Sequence, residues 1–281
     1  MSDARFSKLV MKARNRLLKA ILGTIATLGV GFSAPLIAAI PERVASLNMC
    51  TDELVLLLAA PEQVISVTHL AQDRHEFAFW RTARRYEAND GSIASVAGMR
   101  PDLILTMGGL ARDHARLAER IGAEIVILRY PQTLDDVETA IMQVATALGR
   151  EARARRYIAA LRRLEASRPD ITTEAVFLSD GGLSVASGSL DAQWLALAGI
   201  AIPARQAGPV TAEQMLINPP ATVVRSDYRE GQASRGQFWP GFRFLERSPQ
   251  TRILSTDGRR WTCSGLSLLP EIMRLREALT Q

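Results

Sequence analysis

The sequence lacks the short motifs that mark the commonest enzymes. It contains no Gly-x-Ser-x-Gly, no Gly-x-x-x-x-Gly-Lys-Ser/Thr, no His-Glu-x-x-His and no Gly-x-Gly-x-x-Gly opening a helix. These motifs carry, respectively, a nucleophile, a phosphate loop, a catalytic zinc and a dinucleotide. Short-period repeats and low-complexity tracts are missing too. We therefore predict a folded protein that is not an enzyme and holds no resident cofactor.

A long hydrophobic run is also missing. The apolar stretch at residues 20–32 has about 13 residues, whereas ~20 are needed to span a bilayer. Basic residues precede the stretch and small residues follow it, an order typical of a secretory signal peptide. We predict that residues 1–39 are a signal peptide cleaved between Ala34 and Ile40 and that the mature chain is periplasmic. An uncleaved membrane anchor is the alternative.

The excess of positive charge comes from this leader. The whole chain has a formal net charge of +5, but residues 1–39 contain six basic residues and one acidic residue, so the remainder has 28 of each. A neutral mature chain removes the main support for nucleic-acid binding.

Cysteine is scarce, with only Cys50 and Cys263 in 281 residues. In an exported protein an even pair of cysteines is a disulfide candidate. We predict a Cys50–Cys263 bridge that would tie together two distant parts of the chain. Two separate thiols remain the alternative.

Short apolar runs alternate with helical patterns through the first half of the chain. The runs at 43–47, 63–67, 103–106 and 124–128 read as strands, with helices between them. This alternation predicts an α/β fold with mostly parallel sheets. Residues 41–132 form the predicted N-terminal lobe.

The helix–Pro–strand pattern of residues 95–106 (SVAGMRPDLILT) returns at 213–224 (EQMLINPPATVV). Between the two copies, residues 133–168 are rich in Ala, Leu, Arg and Glu, with apolar residues at steps of three and four. We predict two lobes, the second at 169–281, joined by one long helix with a ligand cleft between them. A break at Gly149 into two shorter helices is the alternative.

Four segments, in order, resemble the periplasmic iron-siderophore/vitamin B12 substrate-binding proteins of ABC importers. They are residues 43–54 (RVASLNMCTDEL), 63–67 (QVISV), 99–105 (MRPDLIL) and 261–265 (WTCSG). The resemblance covers essentially all of residues 42–281. It implies two lobes bridged by a rigid helix, a ligand held between them and an inner-membrane ABC permease as partner.

The resemblance also implies one exposed acidic residue on each lobe that docks on permease arginines. Glu213 matches this position on the second lobe. The matching position on the first lobe is Ala94, a departure from the family, and Asp90 or Glu87 is a possible substitute.

We predict that ligand contacts come from the ends of strands and from loops that face the cleft, because ligands bind there in open α/β sheets. The candidates are Asn48, Met49, His69, Met107, Tyr130, Ser187, Tyr228, Arg229, Trp239 and Trp261. A plain helix cap at Asn48 and ordinary core packing of the aromatic residues are the alternatives.

The predicted function is capture of a metal chelate, iron-siderophore before cobalamin or haem, by a monomer that delivers it to the permease. One alternative is a cell-envelope enzyme acting in the cleft, and another is an envelope scaffold. A third is a transition-metal-ion-binding protein of the same architecture. We expect no metal site, because His69, His75 and His114 show no ligand spacing.

Overall fold

Five parallel strands form the sheet of the first lobe. The computed structural model describes residues 39–108, 112–170, 172–179, 183–204, 208–227 and 247–280. The strands are ordered β3-β2-β1-β4-β5 and all pair in parallel. Their bounds are Val44–Ser46 (β1), Val64–Thr68 (β2), Glu87–Asn89 (β3), Leu103–Met107 (β4) and Glu124–Leu128 (β5). The strands β1 and β4 are buried along their whole length, as expected for the centre of a covered parallel sheet.

Helices cover this sheet, and polar side chains define where they begin. Asn48 caps the first helix, Ser92 the third and Thr133 the fifth, each with an oxygen that accepts a backbone N–H. The helices are Met49–Leu58 (α1), Trp80–Ala83 (α2), Ile93–Ala97 (α3), Arg112–Arg120 (α4) and Leu134–Leu148 (α5).

The second lobe is built on three parallel strands in the order β12-β11-β7. These strands are Val176–Leu178 (β7), Thr222–Asp227 (β11) and Arg252–Asp257 (β12). Two short pairs accompany them. Thr173–Glu174 (β6) pairs in parallel with Ile200–Ala201 (β9), and Leu183–Ser184 (β8) pairs antiparallel with Gly208–Pro209 (β10). The predicted α/β class with mostly parallel sheets is confirmed.

The remaining helices are Glu151–Ala166 (α6), Leu190–Leu197 (α7), Ala212–Ile217 (α8) and Leu268–Thr280 (α9). The repeated sequence pattern corresponds to a repeated structural unit: α3 leads into β4 in the first lobe, and α8 leads into β11 in the second. Each copy places its prolines between the helix and the strand, where a missing backbone N–H costs least.

The prediction of one long linking helix is wrong. Gly149, with φ of 66°, ends α5 in the left-handed conformation, and Arg150 and Gly149 donate to the carbonyls of Ala145 and Thr146. This Schellman arrangement closes the helix. Helix α6 then folds back along α5. The contact between Arg162 and Glu138, which are 24 residues apart in sequence and 2.7 Å apart in space, shows this reversal. The alternative of two shorter helices is therefore the correct one.

The helical hairpin α5–α6 ties the two lobes together. At one end, Arg153 of α6 donates to the carbonyl of Ala59 in the first lobe. At the other end, Arg276 of α9 donates to the carbonyl of Leu164 and the hydroxyl of Ser167. The main group of packed, buried apolar side chains runs without interruption from β1 through α5 and α6 to α9.

Ile40–Gln281 forms one compact unit. The predicted leader lies outside the described residues, apart from Ala39. Among the helices that the structure describes, none is both long enough and apolar enough to cross a membrane.

Candidate ligand-binding site

The carboxyl ends of β1, β2 and β4 bring several of the predicted site residues to one edge of the first sheet. Asn48 and Met49 follow β1, His69 follows β2, and Met107 is the last residue of β4. Ligands bind at this edge in open α/β sheets because the loops there are not part of the ladder. The edge faces segment 258–267 of the second lobe, as the contacts below show.

Asn48 is committed to the start of α1. Its side-chain oxygen accepts from the N–H of Cys50 at 2.9 Å, and Thr51 donates its hydroxyl to the carbonyl of Asn48 at 2.8 Å. Met49 is half-buried and packs against the core. The helix cap is thus the observed role of Asn48, and a ligand contact by either residue stays a prediction.

Cys50 and Cys263 are joined by a disulfide in the structure. Their Cα atoms are 5.2 Å apart, within the usual range for a bridge. Cys50 is in the first turn of α1, and Cys263 lies between β12 and α9. The bond therefore links the first lobe to the second across 213 residues of sequence.

Glu53 strengthens the same junction from one turn further along α1. Its carboxylate accepts from the N–H of Ser267 at 2.9 Å, and it is buried. Burial raises the pKa of Glu53, while the Ser267 hydrogen bonds and the charge of Arg260 oppose the rise. A Cβ at Gly265 would lie 2.6 Å from Glu53 Oε1, so glycine at this position permits the close approach of the two lobes.

Asp52 points to the other side of α1 and holds the end of β2. Its carboxylate accepts from the N–H of Thr68 at 3.2 Å and from the Thr68 hydroxyl at 2.5 Å. Burial raises the pKa of Asp52 to about 7, against the effect of hydrogen bonds from Ser46 and Thr68. Adjacent acids in one helix thus secure two different segments: Asp52 holds the strand before His69, and Glu53 holds the second lobe.

Further hydrogen bonds fix segment 258–267. Ser264, with φ of 46°, donates its hydroxyl to Asp191 and accepts at its carbonyl from Trp194 Nε1 at 2.8 Å. Burial raises the pKa of Asp191. Arg259, held by two hydrogen bonds to Asp257, donates across to the carbonyl of Arg74 at 2.7 Å.

Two of the predicted contact residues lie in the core. Trp261 is 7 % exposed, donates to the Thr256 hydroxyl at 2.9 Å and packs edge-on against Phe177 with ring centres 5.0 Å apart. Met107 is buried and borders a small cavity beside the disulfide. Both residues have an observed packing role, so ligand contact by them stays a prediction.

The other described candidates are exposed. Tyr130 is 56 % exposed, and its ring lies so close to Gly108 that a Cβ there would be 2.6 Å from it. Ser187 is exposed in the turn before α7. His69 is exposed, with Nδ1 3.1 Å from the carbonyl of Asn89. Tyr228, Arg229 and Trp239 lie outside the described residues.

An open pocket of about 400 Å³ lies just after β2. It is lined by polar side chains only: His69, Gln72, Asp73, Arg74, His75 and Arg84. Only His69 of this set was among the predicted contacts. The sequence signal was a cluster of charged residues in segment 72–84, which in isolation is typical of a solvated surface.

His69 and His75 both line this pocket. His75 accepts from Arg74 Nε at 2.8 Å, and the described residues include no group of three or more His, Cys, Asp or Glu side chains placed to hold a metal ion.

Glu213 is exposed in the first turn of α8, a helix that begins with a capping box of Thr211 and Gln214. Two large apolar residues on the same helix, Leu216 and Ile217, are 52 % and 76 % exposed.

The sequence and the fold of this chain are both similar to those of known proteins. The model of the periplasmic binding protein family matches residues 44–237. The haem-binding protein HutB of Vibrio cholerae has a TM-score of 0.67 at 19 % identity, covering 85 % of this chain and 99 % of that one. The haem-binding protein RhuT of Roseiflexus scores 0.63 at 20 % identity, covering 84 % and 98 %.

The vitamin B12-binding protein BtuF of Vibrio cholerae has a TM-score of 0.58 at 19 % identity, covering 86 % of this chain and 97 % of that one. At these identities the structural likeness shows the fold. No curated protein sequence matches the chain. Since the family model covers more than half of the sequence, the chain belongs to the periplasmic binding protein family.

Proposed function

We propose that this protein captures a metal chelate in the periplasm and delivers it to an inner-membrane ABC permease. The observation that carries the proposal is the open pocket after β2, whose wall is contacted by Arg259 of the second lobe. A pocket at the carboxyl edge of a parallel sheet, bordered by a second lobe, can enclose a small molecule from two sides.

The structural neighbours support the class of ligand. Two of them are haem-binding proteins, and one binds vitamin B12. Haem and vitamin B12 are both metal chelates. For this chain we favour an iron–siderophore over cobalamin or haem, because the pocket lining is polar and ionic rather than apolar. Family members and neighbours are binding proteins, which supports binding without turnover.

Delivery to a permease rests on the surface around Glu213. The side chain is exposed on α8 together with Leu216 and Ile217. We propose that Glu213 pairs with an arginine of the permease and that the apolar residues provide the buried centre of the contact.

Native mass spectrometry of the protein isolated from periplasm tests the proposal in one experiment. The expected result is a chain that has lost its first 33–39 residues and carries a bound chelate, whose metal is identified by its mass. A full-length chain in the cytosolic fraction would contradict the export, and a ligand released in chemically altered form would indicate an enzyme.

A further inference from the structure

Hydrogen bonds hold the segment that lines the pocket after β2 in place. Asp52 fixes Thr68 at the end of β2, and the Thr68 hydroxyl accepts from the N–H of Ala71 at 3.3 Å. Gln72 then donates to the carbonyl of Tyr86 at 2.8 Å, while Arg84 Nε donates to the carbonyl of Gln72 at 3.2 Å. The segment that carries the lining residues is therefore held at both ends by hydrogen bonds.

The charges that line the pocket are mainly positive. Arg74 and Arg84 face one carboxylate, that of Asp73, and this carboxylate already accepts from the N–H of His75 at 2.8 Å. Arg74 uses its Nε to donate to His75, and Arg84 uses its Nε to donate to Gln72. Within the described part of the chain, the terminal nitrogens of both guanidinium groups have no hydrogen-bond acceptor from the protein.

The second lobe contacts the backbone of the segment that carries Arg74. Arg259 donates to the carbonyl of Arg74 at 2.7 Å and is oriented by the carboxylate of Asp257. Arg260 lies next to it, with its guanidinium 5.9 Å from the ring centre of Phe79 in the first lobe. Guanidinium groups bind carboxylates and phosphates in bidentate geometry.

We propose that this pocket recognises anionic oxygen groups of the ligand, so that the protein selects chelates whose periphery carries carboxylates. Arg74 and Arg84 bind the anionic group directly, and Arg259 positions the Arg74 backbone from the second lobe. This inference rests on the proposed function and names the ligand class of its site. A neutral chelate would offer no anionic acceptor to the terminal nitrogens of Arg74 and Arg84 and would gain nothing from their charge.

The test measures binding of four chelates to the ligand-free protein by isothermal titration calorimetry. Ferric citrate and haemin carry carboxylates, ferrioxamine B carries no anionic group outside its iron ligands, and cyanocobalamin carries a phosphodiester but no carboxylate. We expect a carboxylate-bearing chelate to bind at least about tenfold more tightly than the other two, with an affinity that falls as salt rises. Inorganic phosphate and metal-free citrate, added as competitors, distinguish a general oxyanion site from one for carboxylates.

Variants assign the effect to the pocket. Arg74→Gln and Arg84→Gln should each weaken binding about tenfold, the loss expected for one charge-assisted hydrogen bond. Arg84→Lys, which keeps the charge but not the bidentate geometry, should give an intermediate loss. Arg81→Gln is the matched control, because Arg81 stacks on Trp80 at 4.7 Å and does not line the pocket. Thermal unfolding curves show that the variants remain folded.

The outcomes separate this inference from the proposed function. Tightest binding of a carboxylate-free chelate, or unchanged affinity in Arg74→Gln and Arg84→Gln, would overturn the inference and leave chelate binding intact. Equal affinity for citrate with and without iron would support the anionic site but contradict a chelate carrier. If none of the four chelates binds and the periplasmic protein carries none, both proposals fail.

Discussion

Asp52 and Glu53 are neighbours in α1 that are both buried and serve different parts of the molecule. Asp52 accepts from Thr68 within the first lobe, whereas Glu53 accepts from Ser267 in the second. Burial raises the pKa of both carboxyls. Buried acids that keep hydrogen-bond partners constrain the geometry around them more than an apolar pair of the same size would.

The raised pKa of Asp52 predicts a pH-dependent stability. The folded protein holds this proton up to about pH 7, whereas the unfolded chain releases it near pH 4. Between these values the native state binds more protons, so the contribution of Asp52 to the free energy of unfolding falls as pH rises, by at most about 1.4 kcal/mol per pH unit. Asp52→Asn removes this titration and should become more stable relative to the wild type between pH 5 and pH 8.

Urea unfolding at several pH values measures the difference between Asp52→Asn and the wild type. Asp90→Asn is the control, because Asp90 is exposed and its hydrogen bonds with Ser92 lower its pKa, so its titration is complete below pH 5. A constant difference between Asp52→Asn and wild type over this range would show that Asp52 does not titrate there.

Gly265 predicts a steric effect at the lobe junction. Gly265→Ala would place a Cβ 2.6 Å from Glu53 Oε1, so the buried carboxylate must move away from its hydrogen bond with Ser267, or the backbone of α1 or of segment 258–267 must shift. We expect a loss of about 1–3 kcal/mol in the free energy of unfolding, typical of overpacking in a filled site. Gly98→Ala is the control, since Gly98 has an ordinary helical φ of −65° and nothing within 4 Å of its Cβ position. Equal stability of the two variants would show that the junction tolerates the extra methyl group.

At the scale of elements, the helical hairpin α5–α6 explains how two small sheets form one unit. The apolar faces of both helices are buried along their length, and they belong to the same continuous core as β1, α7 and α9. In the hairpin both α5 and α6 bury an apolar face in the core, whereas a single long helix would bury only one. Neither lobe therefore has to bury its sheet alone.

Helix α8 predicts a defect in transport without a defect in binding. If Glu213 pairs with a permease arginine, Glu213→Lys should abolish uptake of the ligand by cells, because two like charges would meet in the contact. Affinity for the ligand should be unchanged, since the pocket is lined by other residues. Uptake assays in cells and calorimetry on the purified protein measure the two properties separately.

Glu277→Lys is the matched control for this experiment, because Glu277 is also exposed on a helix of the second lobe. It should transport normally. Normal uptake by Glu213→Lys would remove Glu213 from the interface.

At the scale of the whole molecule, the disulfide, the Glu53–Ser267 hydrogen bond and the Arg259–Arg74 hydrogen bond all connect the first lobe to segment 258–267. One covalent bond and two hydrogen bonds thus act against separation of the lobes along one side. We expect ligand exchange to occur with little change in the distance between the lobes.

The Cys50–Cys263 bridge predicts a chain without free thiols. Thiol titration of the denatured, unreduced protein should find none. The Cys50→Ser, Cys263→Ser double variant should lose about 2–4 kcal/mol of stability, since the unfolded chain is no longer constrained by the loop. Each single Cys→Ser variant also lacks the bridge and should lose about as much as the double variant. Two free thiols in the wild type would exclude the bridge.

Much of the fold follows from local patterns. The alternation of short apolar runs with helical stretches predicts the parallel α/β class. A strand buried on both faces is a continuous apolar run, whereas a helix buried on one face has apolar residues at steps of three and four. The start of α1 was also predictable, since Asn48 is a good capping residue. Periodicity could not decide whether Gly149 interrupts the linking helix, because the pattern on both sides of it is helical.

The sequence by itself therefore determined the class of fold and the family, both of which depend on residues close together in the chain. Only the tertiary structure decided that Glu53 meets Ser267, that Trp261 enters the core and that Arg74 and Arg84 share a pocket. The physical reason is that burial and hydrogen-bond partners arise when distant segments pack. Glu53 and Ser267 are 214 residues apart, and nothing in the local sequence of either one specifies the other.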